Sequence, residues 1–193
     1  MTLDALSDLV LALACIWLVQ REWTARPAVA LALLCVGAAA LLGVARFSGV
    51  NEALGPHAFL SMIGATAGLP LLAVALRWPG GITAMRRAGA ARFLLVGAAL
   101  AVVMAAAGFA LWQQLAPGLA GAVILWAACT PPRALAVAGA LALLAGFAVT
   151  AAGWTVAEFS STQGLHYLMA LAFALLVYAP PPAPSAQAAL TPG

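Results

Sequence analysis

The sequence predicts an all-α polytopic membrane protein, a single bundle of about seven transmembrane helices with its N-terminus outside and its C-terminus cytoplasmic. Three observations predict it. Of 193 residues, 66% are hydrophobic and only 7% are charged, against about a quarter charged in a soluble domain. The apolar stretches approach membrane-spanning length and are broken only by short clusters of Arg, Pro, Gly and polar residues. The basic residues are all arginines, and they divide unevenly between the two sides that alternating spans define.

Mean hydropathy is +1.10, and no stretch within residues 1–179 is polar enough to form a soluble domain. That region is read as one seven-helix transmembrane domain. Residues 180–193, rich in Pro and Ala, are expected to form a disordered cytoplasmic tail. The net charge of +3 reports on loop topology, so nucleic acid is not an expected partner. The lipid bilayer is. Cys15, Cys35 and Cys129 each sit in an apolar run without metal or disulfide spacing, and read as buried free thiols.

The first span is expected over 3–20, ending at the interfacial cluster Arg21-Glu22-Trp23. Met1-Thr2-Leu3-Asp4 carries no positive charge and no small-residue cleavage site precedes Arg21, which favours a retained helix over a signal peptide. Asp4 and Asp8 share a helical face. Asp4 reads first as a helix cap; Asp8, a turn deeper, is open to a structural or a site role. The second span, 27–45, opens on Pro27, which suits a first helical turn. Arg46 at its end reads as a snorkelling cation, or as a counter-ion to a buried carboxylate or a lipid headgroup.

The segment 50–57 is expected to be a loop, carrying Glu52 and His57. The third span, 58–76, contains Pro70, which predicts a kink. After it, Arg77, Arg86, Arg87 and Arg92 form the most basic connection. The fourth span is expected over 93–112, with Gln113-Gln114 and Pro117-Gly118 turning the chain. The fifth, 119–129, is short enough to be tilted or re-entrant. The sixth covers 134–156 and the seventh 163–178. Small-residue runs at Gly37-Ala38-Ala39-Ala40, Gly97-Ala98-Ala99 and Ala105-Ala106-Ala107-Gly108 predict close helix packing.

Seven crossings put Arg21, Arg26, Arg77, Arg86, Arg87, Arg92 and Arg133 on one side, expected to be cytoplasmic, and Arg46 alone on the other. The same alternation gathers Asp4, Asp8, Arg46, Glu52, His57, Glu158 and His166 at the opposite end. At a rise of ~1.5 Å per residue, His166 lies roughly 9 Å below the start of the last helix. An ionisable group at that depth marks a candidate site. The other reading of the group is a set of polar helix ends that reach the same interface.

Phe159-Ser160-Ser161-Thr162-Gln163-Gly164-Leu165-His166-Tyr167-Leu168-Met169-Ala170-Leu171-Ala172 resembles the last helix of bacterial seven-span proteins of the alkaline ceramidase-like hydrolase superfamily. Leu6-Ser7-Asp8-Leu9-Val10-Leu11-Ala12-Leu13 resembles their acidic opening. Leu41-Leu42-Gly43-Val44-Ala45-Arg46-Phe47-Ser48-Gly49 falls where they carry a Gly-rich turn with a His. The resemblance implies a lipid-amide hydrolase whose metal-bound water attacks a carbonyl, in a bacterial cytoplasmic membrane. Only His166 matches cleanly. Arg46 stands where a metal-binding His is expected, and Ala170 where a second ligand of the last helix is expected.

A catalytic zinc needs about three protein ligands, which His57 and His166 with Asp8 or Glu52 would have to supply, and a nearby arginine repels a dication. The metal-free reading is therefore preferred. It makes the chain a non-catalytic relative that binds a lipid or a partner membrane protein through Asp8, Arg46, Glu52, His57, Glu158 and His166. In that reading Arg46 binds an anion or pairs with Asp8 or Glu52. The alternative is the metal-dependent hydrolase. A small transporter is third, since charges are missing from the middles of spans four to six.

Overall fold

The computed structural model describes residues 2–155 and 159–179, with only the backbone for Ile82 and Met85. Glu158 and the tail 180–193 lie outside the described residues. Among the described residues the architecture is all-helical, without a named strand. Six helices are long and apolar enough to cross a membrane, the pattern of an integral membrane protein.

Helix α1, Leu3–Glu22, is capped by Thr2, whose Oγ1 accepts from the Ala5 amide at 3.2 Å. The cap expected of Asp4 therefore belongs to Thr2, which stands just outside the helix with extended backbone. Helix α2, Pro27–Phe47, begins on Pro27 as expected.

Next comes a continuous 27-residue helical segment, Asn51–Arg77. It consists of a 3₁₀ turn at Asn51–Ala53, α3 at Leu54–Ile63, a π-helical turn at Gly64–Gly68 and α4 at Leu69–Arg77. His57 is thus helical and not in a loop. Pro56 read as a loop residue, but it lies in the first turn of α3, where a missing N–H costs nothing. The expected irregularity at Pro70 takes the form of the π-turn. Pro70 lacks an N–H and its ring crowds the carbonyl of Thr66, so a wider turn just before it relieves the clash. The Thr66 hydroxyl donates to the Met62 carbonyl at 2.7 Å.

Short α5, Ile82–Met85, leads into α6, Arg87–Ala106. Helix α7, Trp112–Cys129, then includes Gln113, Gln114, Pro117 and Gly118, which the sequence placed in a turn. The true break is at Gly108, in left-handed backbone at φ 73°. It lets the Phe109 amide reach back to Met104 at 2.9 Å and end α6. Helix α7 is a full 18 residues long, but its polar first turn keeps it out of the six most apolar spans. Helix α8, Ala134–Ala151, stops before the expected 156 at a similar glycine ending, Gly153. Helix α9, Ser161–Tyr178, starts with a capping box in which Ser160 and Gln163 bond reciprocally.

The packing contacts fix how the helices run. Asp4 meets Gln163 and Trp17 meets Tyr178, so α1 and α9 are parallel. Glycines set the close approaches between antiparallel neighbours. A Cβ on Gly37 would lie 2.8 Å from Cys15 of α1, and one on Gly139 of α8 would lie 2.9 Å from the Ala172 carbonyl of α9. Gly97 of α6 packs equally tightly on Ala67. Two of the three small-residue runs therefore lie at packing contacts. The run Ala105-Ala106-Ala107-Gly108 does not; it is the exposed end of α6. Of the three free cysteines Cys15 is buried, Cys35 partly buried and Cys129 exposed. Cys129 is the last residue of α7, where the helix end leaves its side chain exposed.

One end of the bundle collects the arginines. There the buried Glu22 pairs with Arg21 at 3.3 Å and with Arg26. Arg26 also donates to the Val177 carbonyl at 2.9 Å, tying α1, α2 and α9 together. Arg77 stacks 4.0 Å over the Trp126 ring and Arg87 4.9 Å over Trp23.

Candidate functional site

The opposite end is built on one face of α1. Asp4, Ser7, Asp8 and Leu11 recur at the three- and four-residue spacing that stacks side chains on a single stripe. That stripe turns toward α9 and α2. Ser7 and Asp8 are almost fully buried, at 0% and 1% exposed.

His166, one turn into α9, lies opposite them. Its Nδ1 is 3.3 Å from Asp8 Oδ1 and 3.2 Å from Ser7 Oγ. The Ser7 hydroxyl donates its single proton to the Asp4 carbonyl at 2.9 Å. Toward His166 it can therefore only accept, so Nδ1 carries a hydrogen shared between Ser7 and Asp8. Ring nitrogen Nε2 is left with the lone pair while the ring is neutral.

Asp4 completes the frame from the end of the helix. Its Oδ1 accepts from Gln163 Nε2 at 2.7 Å, and the Ser160 hydroxyl reaches the same oxygen at 3.5 Å. The capping residues of α9 thus anchor it to α1 one turn above His166. Gly43 of α2 makes room for Asp8: a Cβ there would overlap the carboxylate. Asp8 Oδ2 is buried and has no hydrogen-bond partner among the described residues, although a lone buried acceptor is costly.

These groups open on a cavity of about 290 Å³ whose lining includes Asp8, His57, Ser61, Gln113 and His166. Its other walls are apolar, among them Leu11, Val36, Leu69, Phe147 and Met169. His57 reaches it from α3. Its Nδ1 lies 3.0 Å from the Ala39 carbonyl, which can only accept, so this ring too has its hydrogen on Nδ1 and its lone pair on Nε2. The Phe47 ring packs edge-on against it at 6.1 Å.

The structure therefore brings Asp8, His57 and His166 to one cavity, and holds Asp4 just above it. Arg46 and Glu52 do not line it. Arg46 lies 4.8 Å over the Phe47 ring, and among the described residues it forms no ion pair with Asp8 or Glu52. Its backbone sits in the last turn of α2, from which the long side chain folds back on its neighbour. Glu52 is exposed in the 3₁₀ turn. Among the described residues no three His, Cys, Asp or Glu side chains gather around a point that would hold a metal ion.

Participants missed in the sequence include Ser7, Gly43, Ser61, Gln113 and the capping pair Ser160 and Gln163. Ser7 was readable from the stripe it shares with Asp4 and Asp8. Gly43 and Gln113 carried no local signal, because their roles arise only when α2 and α7 pack against the others. Compared with protein-family models, curated proteins and solved structures, the chain matches none of them.

Proposed function

We propose that the protein is a membrane-embedded binding protein for a lipid-like molecule, whose polar head enters the cavity at Asp8, His57 and His166. One observation carries the reading: a cavity with apolar walls in which both histidines already have Nδ1–H engaged. The heteroatoms left for a ligand at these three residues are acceptors, namely Nε2 of each ring and the carboxylate. A head that donates hydrogen bonds, a hydroxyl or an amide or amine N–H, complements them. Among the described residues no arginine lines the cavity, so an anionic head would face Asp8 with no cation on the lining.

The orientation that goes with this reading puts the arginine-rich end in the cytoplasm and the cavity near the outer leaflet, in a bacterial cytoplasmic membrane. A partner membrane protein at the same polar end fits less well, since the groups are recessed and not presented on a surface.

A second reading, hydrolysis of a lipid amide, is favoured by the Asp8–His166 pair. A carboxylate on Nδ1–H orients the ring and presents Nε2 to the cavity, either to take a proton from water or to ligate a metal. For zinc, a catalytic site uses about three protein ligands, and among the described residues His57, His166 and Asp8 do not gather around one point.

The test is to purify the full chain in detergent and measure retained lipids by native mass spectrometry. Ceramide and diacylglycerol are then added in separate titrations, and zinc content and amide turnover are measured on the same samples. Binding of ceramide that is reduced about tenfold or more in His166→Ala, with no turnover, is the expected result. Turnover with stoichiometric zinc moves the assignment to the hydrolase. Binding that is equal in wild type and His166→Ala rejects the site.

A further inference from the structure

A second cavity, unconnected with the histidines, lies between α4, α6 and α7. Its volume is about 690 Å³, within the ~300–1,000 Å³ usual for small-molecule sites. Its walls are almost wholly apolar, and the residues that decide its use are Pro70, Trp78, Arg92, Leu100, Trp112 and Val123.

Helix α6 forms the outer wall and is only loosely held. Ala90 and Ala101 are its buried residues, while Leu95 and Val96 are 71% and 70% exposed. The cavity therefore sits behind a helix that faces the bilayer, where a hydrocarbon chain has direct access.

The charge and the depth of the cavity specify the occupant. Arg92 stands at its arginine-rich end, and among the described residues no carboxylate pairs with it. From Arg92 to Leu100 the lining follows α6 for eight residues, roughly 12 Å of rise. One leaflet of a hydrocarbon core is about 15 Å deep, half of ~30 Å. A lipid with its phosphate at Arg92 would thus lay its chain along the cavity to about the bilayer midplane. The indole N–H of Trp112, buried without an acceptor among the described residues, is a further unanswered donor on the same lining.

We propose that this cavity is a binding site for an acyl chain of an anionic phospholipid drawn from the leaflet at the arginine-rich end, with Arg92 pairing with its phosphate. The site is independent of the histidine cavity and takes the opposite kind of head. An excess of negative charge suits Arg92, and hydrogen-bond donors suit Asp8 and the histidines.

The experiment uses the full chain in mixed micelles. Thermal stability and native mass spectra are recorded with phosphatidylglycerol, with phosphatidylcholine of the same chains, and with glycerol phosphate alone. Phosphatidylglycerol is expected to bind about fivefold tighter than phosphatidylcholine, the gain typical of one basic residue near an anionic surface. Arg92→Gln should erase that preference. Since Arg92 is exposed, the substitution leaves the fold in place, which circular dichroism checks. Val123→Phe, which narrows the cavity, should weaken both lipids. Equal binding of the two lipids, a preference that survives Arg92→Gln, or an equal effect of glycerol phosphate alone would each overturn the proposal.

Discussion

The two ends of the bundle use their few polar residues in opposite ways. At the arginine end, the charges around Glu22 and the tryptophan rings are consumed by the protein itself, while Arg92 stays open on the second cavity. Glu22 is held by Arg21 and Arg26, Arg26 binds the last turn of α9, and Arg77 and Arg87 lie on tryptophan rings. At the histidine end, each group is fixed on one side and left open on the other. His57 and His166 give Nδ1 to the protein and keep Nε2. A clamp needs its members to answer one another fully, whereas a site needs them oriented and unfinished.

That contrast makes its largest claim about Glu22. Replacing it with Ala should cost about 3 kcal/mol, because two cations then lose the buried carboxylate that holds them near the last turn of α9. Unfolding in detergent mixed with SDS would measure it. A loss under about 1 kcal/mol would mean that the arginine end is no clamp. At the other end, Gly43→Ala should cost about 1–3 kcal/mol through overpacking against Asp8. It should also disturb ligand binding, which Glu22→Ala should leave intact in the folded fraction. If Gly43→Ala alters neither, the close seat of Asp8 on α2 is not used. The smallest effect is expected for Arg77→Lys, about 0.5–1 kcal/mol, since an ammonium stacks less well on Trp126 than a planar guanidinium does. Equal stability of the two proteins would remove that stacking from the account.

The helical class was legible because so few charged residues in so apolar a chain leave no soluble alternative. Span order was legible for the same reason. Boundaries were misread where glycine and proline have two meanings. Pro117-Gly118 looked like a turn but lies inside α7, while Ala107-Gly108 looked like a packing surface and is the turn. Nothing local distinguishes them, because the left-handed backbone at Gly108 follows from how α6 and α7 must meet.

In the site, His166 and Asp8 were singled out by the cost of placing ionisable groups in an apolar segment, whereas His57, expected in a loop, joined them only through the alternation of spans. Arg46 carried the same cost and did not join them. A residue at the last turn of a helix can fold its long side chain back onto a neighbour, and that freedom cannot be read from spacing. Glu52 belongs to the exposed 3₁₀ turn for the same reason, since proximity in sequence to His57 does not bring it inward.

The π-turn at Gly64–Gly68 acquires a further meaning from its neighbours. Gly64, Ala65 and Leu69 face the histidine cavity, whereas Thr66 and Pro70 face the other. The partition between the two chambers is therefore a single helix wall at its widest turn. A π-turn amounts to one residue inserted into an α-helix, and each residue advances the helix by about 100°. Without that insertion everything before it would be rotated relative to Pro70, and Ser61 and His57 would no longer share a chamber with Leu69. The length of this segment, counted to the single residue, thus decides which side chains belong to which room.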